Sequence, residues 1–410
     1  MDQKVMPDKQ EIYKRNVIKQ LYFAGELSCA DLSVLTQKSV PLTARVLNEL
    51  ISEGAVVEKG YATSTGGRRP QMYSLKPDLL YVVSVAMDQL VTRITLLDMH
   101  NTYVGEVQLI ELPLANNPDA LAQLTRHLQE YIRQTGIPRE KIIGVGIGMP
   151  GFVDVTKGVN HSFLKTDQGS IVSYIEAAIE IPVLIDNDSS LVALAEQKLG
   201  AAKGRQNVMV LSIGWGIGLG MILNGSLFRG HNGFAGEFSH IPLFSNNKLC
   251  SCGKSGCLET ETSLLVVAEK AIKGLKEGKV SMLQGLTLDT MEQVSNAIME
   301  AALKGDRFAI ELFSETAYNI GRGVATLIHL LNPELIVLSG RGSLAGKLWM
   351  APIQQAINEH CIPKIAENTA IEISSLGYQA EIIGGAALVM DHYDTLDTVS
   401  ERPGGNLMLA

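Results

Sequence analysis

Cysteine is scarce in this sequence. Five cysteines occur among 410 residues, and three of them, Cys250, Cys252 and Cys257, lie within eight positions of one another. Cys29 and Cys361 stand alone, and the sequence starts with no recognisable signal peptide. A disulfide framework is therefore disfavoured, and we expect a cytoplasmic protein.

Apolar stretches without charge are also few. Residues 206–228 contain no charged side chain, but they include Gln, Asn and Ser and four glycines at alternate positions, Gly214, Gly216, Gly218 and Gly220. This pattern predicts a buried strand and turn rather than a bilayer helix. We therefore expect no membrane insertion.

Charge is modest and unevenly distributed. Charged residues make up 19% of the chain and apolar residues 46%, which excludes a disordered polymer and allows two or three domains. The net charge is −8, yet residues 1–76 hold 11 Lys and Arg against 8 Asp and Glu, so the rest carries −11. A slightly basic head on an acidic body predicts that a polyanion binds the head.

The head has the apolar spacing of three short helices. Their apolar faces are Val17, Ile18 and Leu21, then Leu32 and Leu35, then Leu42, Val46, Leu47, Leu50 and Ile51. Ser28 can cap the second helix, and Pro41 fits the first turn of the third. The pattern indicates a helix-turn-helix whose third helix places exposed Thr43, Arg45 and Asn48 in a major groove. A plain helical bundle or dimerisation module would show the same periodicity.

The following segment, "AVVEKGYATSTGGRRPQMYSL", predicts a wing. It consists of two β-runs around a glycine-rich turn that carries Arg68 and Arg69. A doubly basic tip suits contact with phosphates or the minor groove of double-stranded DNA. The alternative for the two arginines is a solvated basic turn.

The body alternates strand-like and helical runs, which predicts two α/β lobes. Strand-like runs end in Gly or Asp at "GMPG", "DND" and "SGRG", and "SLVALAEQKLG" is one of the helical runs. Ligands of α/β sheets bind at such strand ends. Asn187 and Asp188 follow one of these runs, so an amide and a carboxylate lie at a predicted strand end.

A histidine and the cysteine group predict a metal site. His240, Cys250, Cys252 and Cys257 can close a tetrahedron around Zn²⁺, and nearby glycines allow the backbone to fold tightly around it. Four protein ligands leave no open position, so the zinc is expected to be structural. The alternative is a set of buried thiols or a redox pair.

Two further carboxylates flank this metal motif. Glu237 lies three residues before His240, and Glu259 lies two residues after the last cysteine of the group. Metal binding would draw both towards one place, where they and Asp188 form a polyol-binding set, because carboxylates accept hydrogen bonds from hydroxyls. Each carboxylate alone is more typical of a surface or a helix cap.

These motifs resemble the ROK family of repressors, open reading frames and sugar kinases, in particular its winged-helix repressors of glucose, N-acetylglucosamine and xylose use. The resemblance rests on "TGGRRP" at 65–70, "GIGMPGFVD" at 146–154, "GWGIGLGMILNGSLFRGHNGFAGEFSH" at 214–240, "CSCGKSGCLE" at 250–259 and "NPELIVLSG" at 332–340.

The resemblance implies a fold and a set of ligands. The fold is a two-lobed actin/hexokinase-like (ribonuclease H-like) α/β body with an N-terminal winged helix-turn-helix. The implied sugar contacts are Gly151, Asn187, Asp188, Glu237, His240 and Glu259, with Asp188 at the general-base position of the kinases. The expected domains are the head 1–76, a first lobe 77–190 with a returning helix 381–392, a second lobe 191–380 with the zinc site and a dimerisation surface, and a tail 393–410.

The sequence departs from the kinases at two phosphate loops. The kinases of the family carry a motif of the form D-x-G-G-T at the first strand of the body. This chain has "VSVAMDQLVTRITL" there, with Asp88 and no glycine. Their G-T-G loop is replaced by Gly214, Trp215 and Gly216, so that an indole stands in place of a hydroxyl. We therefore expect no enzymatic activity and no ATP binding.

These observations favour a sugar-responsive transcriptional repressor. Its expected partners are double-stranded operator DNA and a sugar or sugar phosphate effector, and the palindromic sites of such repressors imply a homodimer or a dimer of dimers. The alternative is a ROK sugar kinase that retains a DNA-binding head. Control by a regulatory protein partner is a third possibility.

Overall fold

The computed structural model describes residues 9–63, 69–166, 169–284 and 290–396. The chain divides into two compact units. One contains the residues up to Asn187 and those from Ile382 onward, and the other is Asp188–Glu381. In the described ranges, no helix combines the length and apolarity needed to cross a membrane.

The head contains three helices and a three-stranded antiparallel sheet with β3 in the middle. Its elements are α1 (Lys9–Ala24), β1 (Glu26–Ser28), α2 (Cys29–Leu35), α3 (Val40–Ser52), β2 (Val56–Tyr61) and β3 (Gln71–Leu75). The three predicted helices and the two β-runs of the predicted wing are therefore present.

Local sequence signals explain where the head helices begin. Ser28 caps α2 in a reciprocal capping box with Asp31, and Pro41 lies in the first turn of α3, as predicted. One core prediction is wrong. Leu35 is 50% exposed, because it lies at the end of the seven-residue α2, whose buried side is formed by Leu32 and Ser33.

The first lobe is built on a mixed five-stranded sheet of order β10-β7-β4-β5-β6. Its elements are β4 (Tyr81–Met87), β5 (Val91–Leu97), β6 (Tyr103–Glu111), α4 (Ala120–Thr135), β7 (Ile142–Met149), β8 (Val153–Asp154), β9 (Val159–Asn160), α5 (Ile171–Ile179) and β10 (Val183–Asn187).

The second lobe is built on another mixed five-stranded sheet, of order β13-β12-β11-β14-β15. Its elements are α6 (Asp188–Leu199), β11 (Val208–Ile213), β12 (Ile217–Leu223), β13 (Ser226–Phe228), α7 (Glu259–Thr262), α8 (Leu264–Lys276), α9 (Met291–Leu303), α10 (Arg307–Leu331), β14 (Leu335–Ser339), α11 (Met350–His360), α12 (Pro363–Ala366) and β15 (Ala370–Ile373). The last helix, α13 (Ala380–Asp391), begins in this unit and continues into the first.

The two sheets share one topology. In each, three consecutive strands form an antiparallel meander, and two later strands add in parallel beside the first strand of the meander. The predicted two-lobed, ribonuclease H-like α/β body is thus confirmed. Because β11 and β14 are parallel neighbours, the loops that follow them emerge at the same edge of the sheet.

Helix α13 packs closely against the first-lobe sheet. The Ser84 hydroxyl on β4 donates to the carbonyl of Ile382 at 2.6 Å. A Cβ on Gly146 of β7 would lie 2.0 Å from the carbonyl oxygen of Gly385, so two glycines allow this contact between backbones.

The head is attached to the segment at the end of α13. The Lys19 ammonium on α1 lies 3.1 Å from Asp394 Oδ1 and 3.8 Å from Asp391 Oδ1. Arg15 Nη1 donates to the carbonyl of Leu396 at 2.9 Å, and its guanidinium lies over the ring of Tyr393. Burial raises the pKa of Tyr393 to about 12, so the phenol stays neutral beside this cation.

Helix α6 lies directly on β12, and the alternating glycines explain how. A Cβ on Gly218 would lie 1.8 Å from Ser189 Oγ, and one on Gly220 would lie 2.3 Å from Ala193 Cβ. Any side chain on this face of β12 would displace the helix. The predicted strand and turn at residues 206–228 are confirmed, and their glycines fix the position of the helix that starts at Asp188.

We expect Gly218→Ala to destabilise the second lobe by about 1–3 kcal/mol, because the added methyl overlaps Ser189 in a packed contact. Ser189→Gly removes the overlapping side chain and serves as the matched partner. A double-mutant cycle on the thermal unfolding of this lobe should give a favourable coupling energy, since the second change relieves the first. Simple additivity of the two single effects would contradict the close packing of α6 on β12.

Candidate functional site

The loop between β13 and α7 has little regular structure. In residues 229–258 the structure shows a 3-10 turn at Phe238–His240 and two isolated bridges, Pro242 with Cys257 and Leu249 with Ser255. Gly256 has φ +74°, and a Cβ there would lie 1.9 Å from the carbonyl oxygen of Phe244. The path of this loop therefore depends on side chains as well as on backbone pairing.

Four predicted metal ligands converge in this loop. The ligating atoms of His240, Cys250, Cys252 and Cys257 all lie within 4.8 Å of one another. The Sγ atoms of Cys252 and Cys257 are 3.7 Å apart, and Cys250 Sγ is 3.5 Å from His240 Nδ1. A tetrahedral Zn²⁺ with bonds of about 2.3 Å to sulfur and about 2.0–2.1 Å to nitrogen requires S–S and S–N separations of about 3.8 and about 3.6 Å. These two separations match a tetrahedral zinc site, and the four side chains together could hold a metal ion.

The electrostatics of the thiols also favour a cation. Burial, followed by the neighbouring thiols, raises the pKa of Cys257 to about 12, whereas a backbone hydrogen bond from Lys254 lowers the pKa of Cys252. Without a metal, Cys257 is therefore protonated at neutral pH. A bound divalent cation would supply the positive charge that stabilises its thiolate, with release of the proton.

His240 links the metal ligands to the two predicted sugar carboxylates. Its Nδ1 faces Cys250, while its Nε2 lies 3.6 Å from Glu237 Oε2. Glu259 Oε2 lies 4.0 Å from Nδ1. A carboxylate beside the second nitrogen of a metal-bound imidazole commonly orients the ring. Burial raises the pKa of Glu237, His240 partly offsets the rise, and the charge of Glu259 adds to it.

The other predicted sugar residues lie at the end of β10. Asn187 is the last residue of the strand, and its amide donates to the carbonyl of Gly151 at 3.2 Å. Asp188 begins α6, and its Oδ1 accepts from the amide and hydroxyl of Ser189 at 2.7 and 3.1 Å. Within the first unit the structure thus joins Gly151 to Asn187, and within the second it joins Glu237 and Glu259 to His240.

The first phosphate loop of the kinases is replaced by a closed turn. Asp88 follows β4, and its Oδ1 accepts hydrogen bonds from the amides of Leu90 and Val91, both at 2.7 Å. Its carboxylate therefore stabilises the turn into β5 by accepting two backbone hydrogen bonds. Trp215 lies in the corresponding turn between β11 and β12.

The predicted DNA-contacting residues differ in exposure. Arg45 is 61% exposed, with its Nε 3.8 Å from Glu49 Oε1, and Asn48 and Arg69 are also exposed. Arg68 lies outside the described residues.

The prediction for Thr43 is wrong. Thr43 is 0% exposed, and its hydroxyl is 2.7 Å from Tyr13 Oη and donates to the carbonyl of Ser39. It precedes the buried Val46, Leu47 and Leu50 by three, four and seven positions, so it shares their face of α3.

Arg341 belongs to no motif that predicts a binding site from sequence. This arginine follows β14 at the same sheet edge as Trp215 and is only 4% exposed. A glycine on each side of an arginine at the end of the run "ELIVLSGRG" was the available signal. A buried cation at a strand end indicates a site with its own electrostatic role.

We expect Cys252→Ser to lose stoichiometric zinc and to lower the unfolding temperature of the second lobe, because three remaining ligands bind the ion weakly. Elemental analysis and thermal unfolding measure the two effects. Cys29→Ser is the matched control, since Cys29 lies in the head and outside the cluster. Wild-type protein purified without zinc, or full zinc content in the variant, would contradict a four-ligand zinc site.

Comparisons with known proteins agree with this geometry. The family model described as "ROK family" matches residues 85–392. Over 392 residues the chain is 30% identical to the xylose repressor of Caldicellulosiruptor bescii, covering 93% of this chain and 96% of the relative.

Two solved structures resemble the chain over different shares of its length. A ROK family transcriptional regulator, described as a homolog of the E. coli MLC protein, is similar with a TM-score of 0.74 and 25% identity, covering 94% of this chain and 97% of its own. A ROK family glucokinase from Streptomyces griseus, in complex with glucose and AMPPNP, has a TM-score of 0.65 and 25% identity, covering 75% and 98%. Because the family model spans well over half of the sequence, and the xylose repressor matches nearly all of it, the chain belongs to the ROK family.

Proposed function

We propose that this protein is a sugar-responsive transcriptional repressor of carbohydrate-use genes that acts in the cytoplasm. The observation that carries the proposal is the pairing of a winged-helix head with a ROK body in one chain. The repressor and regulator relatives match both parts, whereas the glucokinase leaves about a quarter of this chain unmatched.

The head is proposed to bind double-stranded operator DNA as part of a homodimer or a dimer of dimers. Helix α3 presents Arg45 and Asn48 on its exposed side, opposite the side that packs in the head core. These two side chains would read bases in the major groove. Arg68 and Arg69, which follow β2 and precede β3 in the sequence, would contact phosphates or the minor groove.

The body is proposed to bind a sugar or sugar phosphate as effector. The contacts would come from Gly151, Asn187, Asp188, Glu237, His240 and Glu259. Carboxylates accept hydrogen bonds from sugar hydroxyls, and Asn187 can both donate and accept. A structural Zn²⁺ held by His240 and the three cysteines would orient Glu237 and Glu259 through the imidazole.

We further propose that the protein binds its sugar without phosphorylating it. Phosphoryl transfer depends on holding and neutralising the phosphates. The Asp88 turn closes one of the two loops that would do so, and an indole occupies the other. Two observations support the alternative, a sugar kinase with a DNA-binding head. They are the similarity to the glucokinase and the carboxylate at Asp188.

We expect Arg45→Ala to relax base discrimination at a cost of about 1–3 kcal/mol, because a lost base contact affects one position of the operator. Arg69→Ala should instead weaken binding to all sequences and lower the slope of log K against log salt, since a phosphate contact releases counterions. Fluorescence anisotropy with operator variants at several salt concentrations measures both effects.

Arg139→Ala, an exposed arginine of the first lobe, is the control and should leave DNA binding unchanged. Equal specificity profiles and equal salt slopes for the two head variants would contradict these assignments.

Thr43→Val should lower the stability of the head, because its hydroxyl contacts the core residue Tyr13.

We expect Asp188→Asn to weaken sugar affinity by about 1–3 kcal/mol through loss of a charged hydrogen bond, with no phosphorylation by either protein. Thermal-shift screening of hexoses, pentoses, N-acetylated amino sugars and their phosphates identifies the effector, and a coupled ATP assay tests turnover. Asp78→Asn, on an exposed turn, is the control. ATP-dependent turnover that Asp188→Asn abolishes would establish the kinase alternative.

A further inference from the structure

Arg341 lies in a closed stack of side chains in the second lobe. Its guanidinium carbon is 4.9 Å from the ring centroid of Trp215 and 4.3 Å from that of Tyr378. Its Nη1 donates to Glu292 Oε1 at 2.8 Å and its Nη2 to Tyr378 Oη at 2.6 Å. Two aromatic rings, a carboxylate and a phenol thus engage one buried cation.

The stack lies at the ligand-binding edge of the second-lobe sheet. Trp215 follows β11 and Arg341 follows its parallel neighbour β14, so both extend from the carboxyl ends of adjacent strands. Ligands of open α/β sheets bind outside these ends, next to a change in strand order. Here that space is filled by residues of the chain itself.

The glycines on both sides of Arg341 pack closely against the end of β11. Gly340 has φ +75°, and a Cβ there would lie 2.9 Å from Ser212 Oγ. A Cβ on Gly342 would lie 2.5 Å from Ile213 Cγ2, and the carbonyl of Gly342 accepts a hydrogen bond from the indole of Trp349 at 2.7 Å. The Gly-Arg-Gly turn is therefore pressed against the end of β11 and fixed there.

The partners of Arg341 offset the cost of burying its charge. A buried guanidinium is costly unless it is paired, and this one has a carboxylate partner and two ring faces. Its planar shape suits stacking between aromatic rings, which a lysine would not reproduce. The buried indole nitrogen of Trp215 has no hydrogen-bond partner among the described residues, so the ring is held by packing.

We propose that Arg341 is a specificity-determining residue whose guanidinium occupies, between Trp215 and Tyr378, the slot that the base of a nucleotide would need. A planar purine and a guanidinium compete for the same aromatic faces. The body then accepts a sugar while excluding ATP and ADP. This inference deepens the proposed function, because it names the side chain that keeps the site free of nucleotide.

The Trp215 loop also adjoins the predicted sugar site. The carbonyl of Gly214 accepts from the amide of Leu264 at 3.0 Å, and a Cβ on Gly216 would lie 3.5 Å from Glu259 Oε1. The stack thus holds the loop that runs past a carboxylate of the sugar set. Nucleotide exclusion and sugar binding would rely on the same turn.

The test measures ADP and Mg·ATP binding by calorimetry to wild type, Arg341→Ala and Arg341→Ala with Tyr378→Leu. We expect no saturable binding by wild type and saturable ADP binding by Arg341→Ala, at least about tenfold tighter than the weakest affinity that the measurement would detect, because apparent affinity scales with the fraction of molecules whose slot is open. The double variant should lose part of this gain, since it lacks one stacking ring. Arg307→Ala removes an exposed arginine of the same lobe and should behave as wild type.

Saturable nucleotide binding by wild type would overturn the proposal, whatever the variants do. So would an Arg341→Ala protein that keeps its zinc and its cooperative unfolding yet binds ADP no better than wild type. If that variant does not fold, Arg341→Lys, which keeps the charge beside Glu292 but not the planar group between the rings, takes its place under the same criteria. Failure of sugar binding in wild type would refute the proposed function separately, because the nucleotide measurements contain no sugar.

Discussion

The convergence of one imidazole and three thiols on a single point is the constraint on which the second-lobe loop depends. Residues 229–258 contain one 3-10 turn and two isolated bridges, and ionising all three thiols at this separation would bring like charges together. A bound divalent cation would compensate these charges and tie the four side chains to one point. His240 lies 3.6 Å from Glu237 and 4.0 Å from Glu259, so under the proposed function the metal ligands would also help to position the sugar carboxylates.

Glycines at the edge of the second sheet allow two functional groups to come close to it. Gly218 lets Ser189 lie against β12, which fixes the first turn of α6 and with it Asp188. Gly340 lets the turn after β14 approach the end of β11, and this brings the guanidinium of Arg341 close to the ring of Trp215. Under the proposed function, the first contact would position a carboxylate for a polyol. Under the further inference, the second would place a cation where a nucleotide base would otherwise bind.

Much of this structure could be predicted from sequence, because its signals are local. The cap at Ser28, the strand runs and the metal ligands each depend on residues close together in the chain. Thr43 was misassigned because it is polar and near the start of α3, although its spacing from the buried residues of that helix places it inside. The Arg341 stack could not be predicted, since Trp215 lies 126 positions away and only the parallel pairing of β11 with β14 unites them. Short elements such as β15 and α12 also lacked a periodic pattern.

The chain connectivity suggests how an effector could reach the DNA-binding head. The unit Asp188–Glu381 is one continuous segment, so it is joined to the remainder of the chain at its two ends. One link is the bond between Asn187 and Asp188, and both of these residues belong to the proposed sugar set. The other link enters α13, and the end of that helix and the segment after it hold α1 through Lys19 and two aspartates. Under the proposed function, a sugar acts directly on the first link, while the second leads to the helix that anchors the head. Coupling between the sites would require the sugar to bind two arrangements of these links with different affinity.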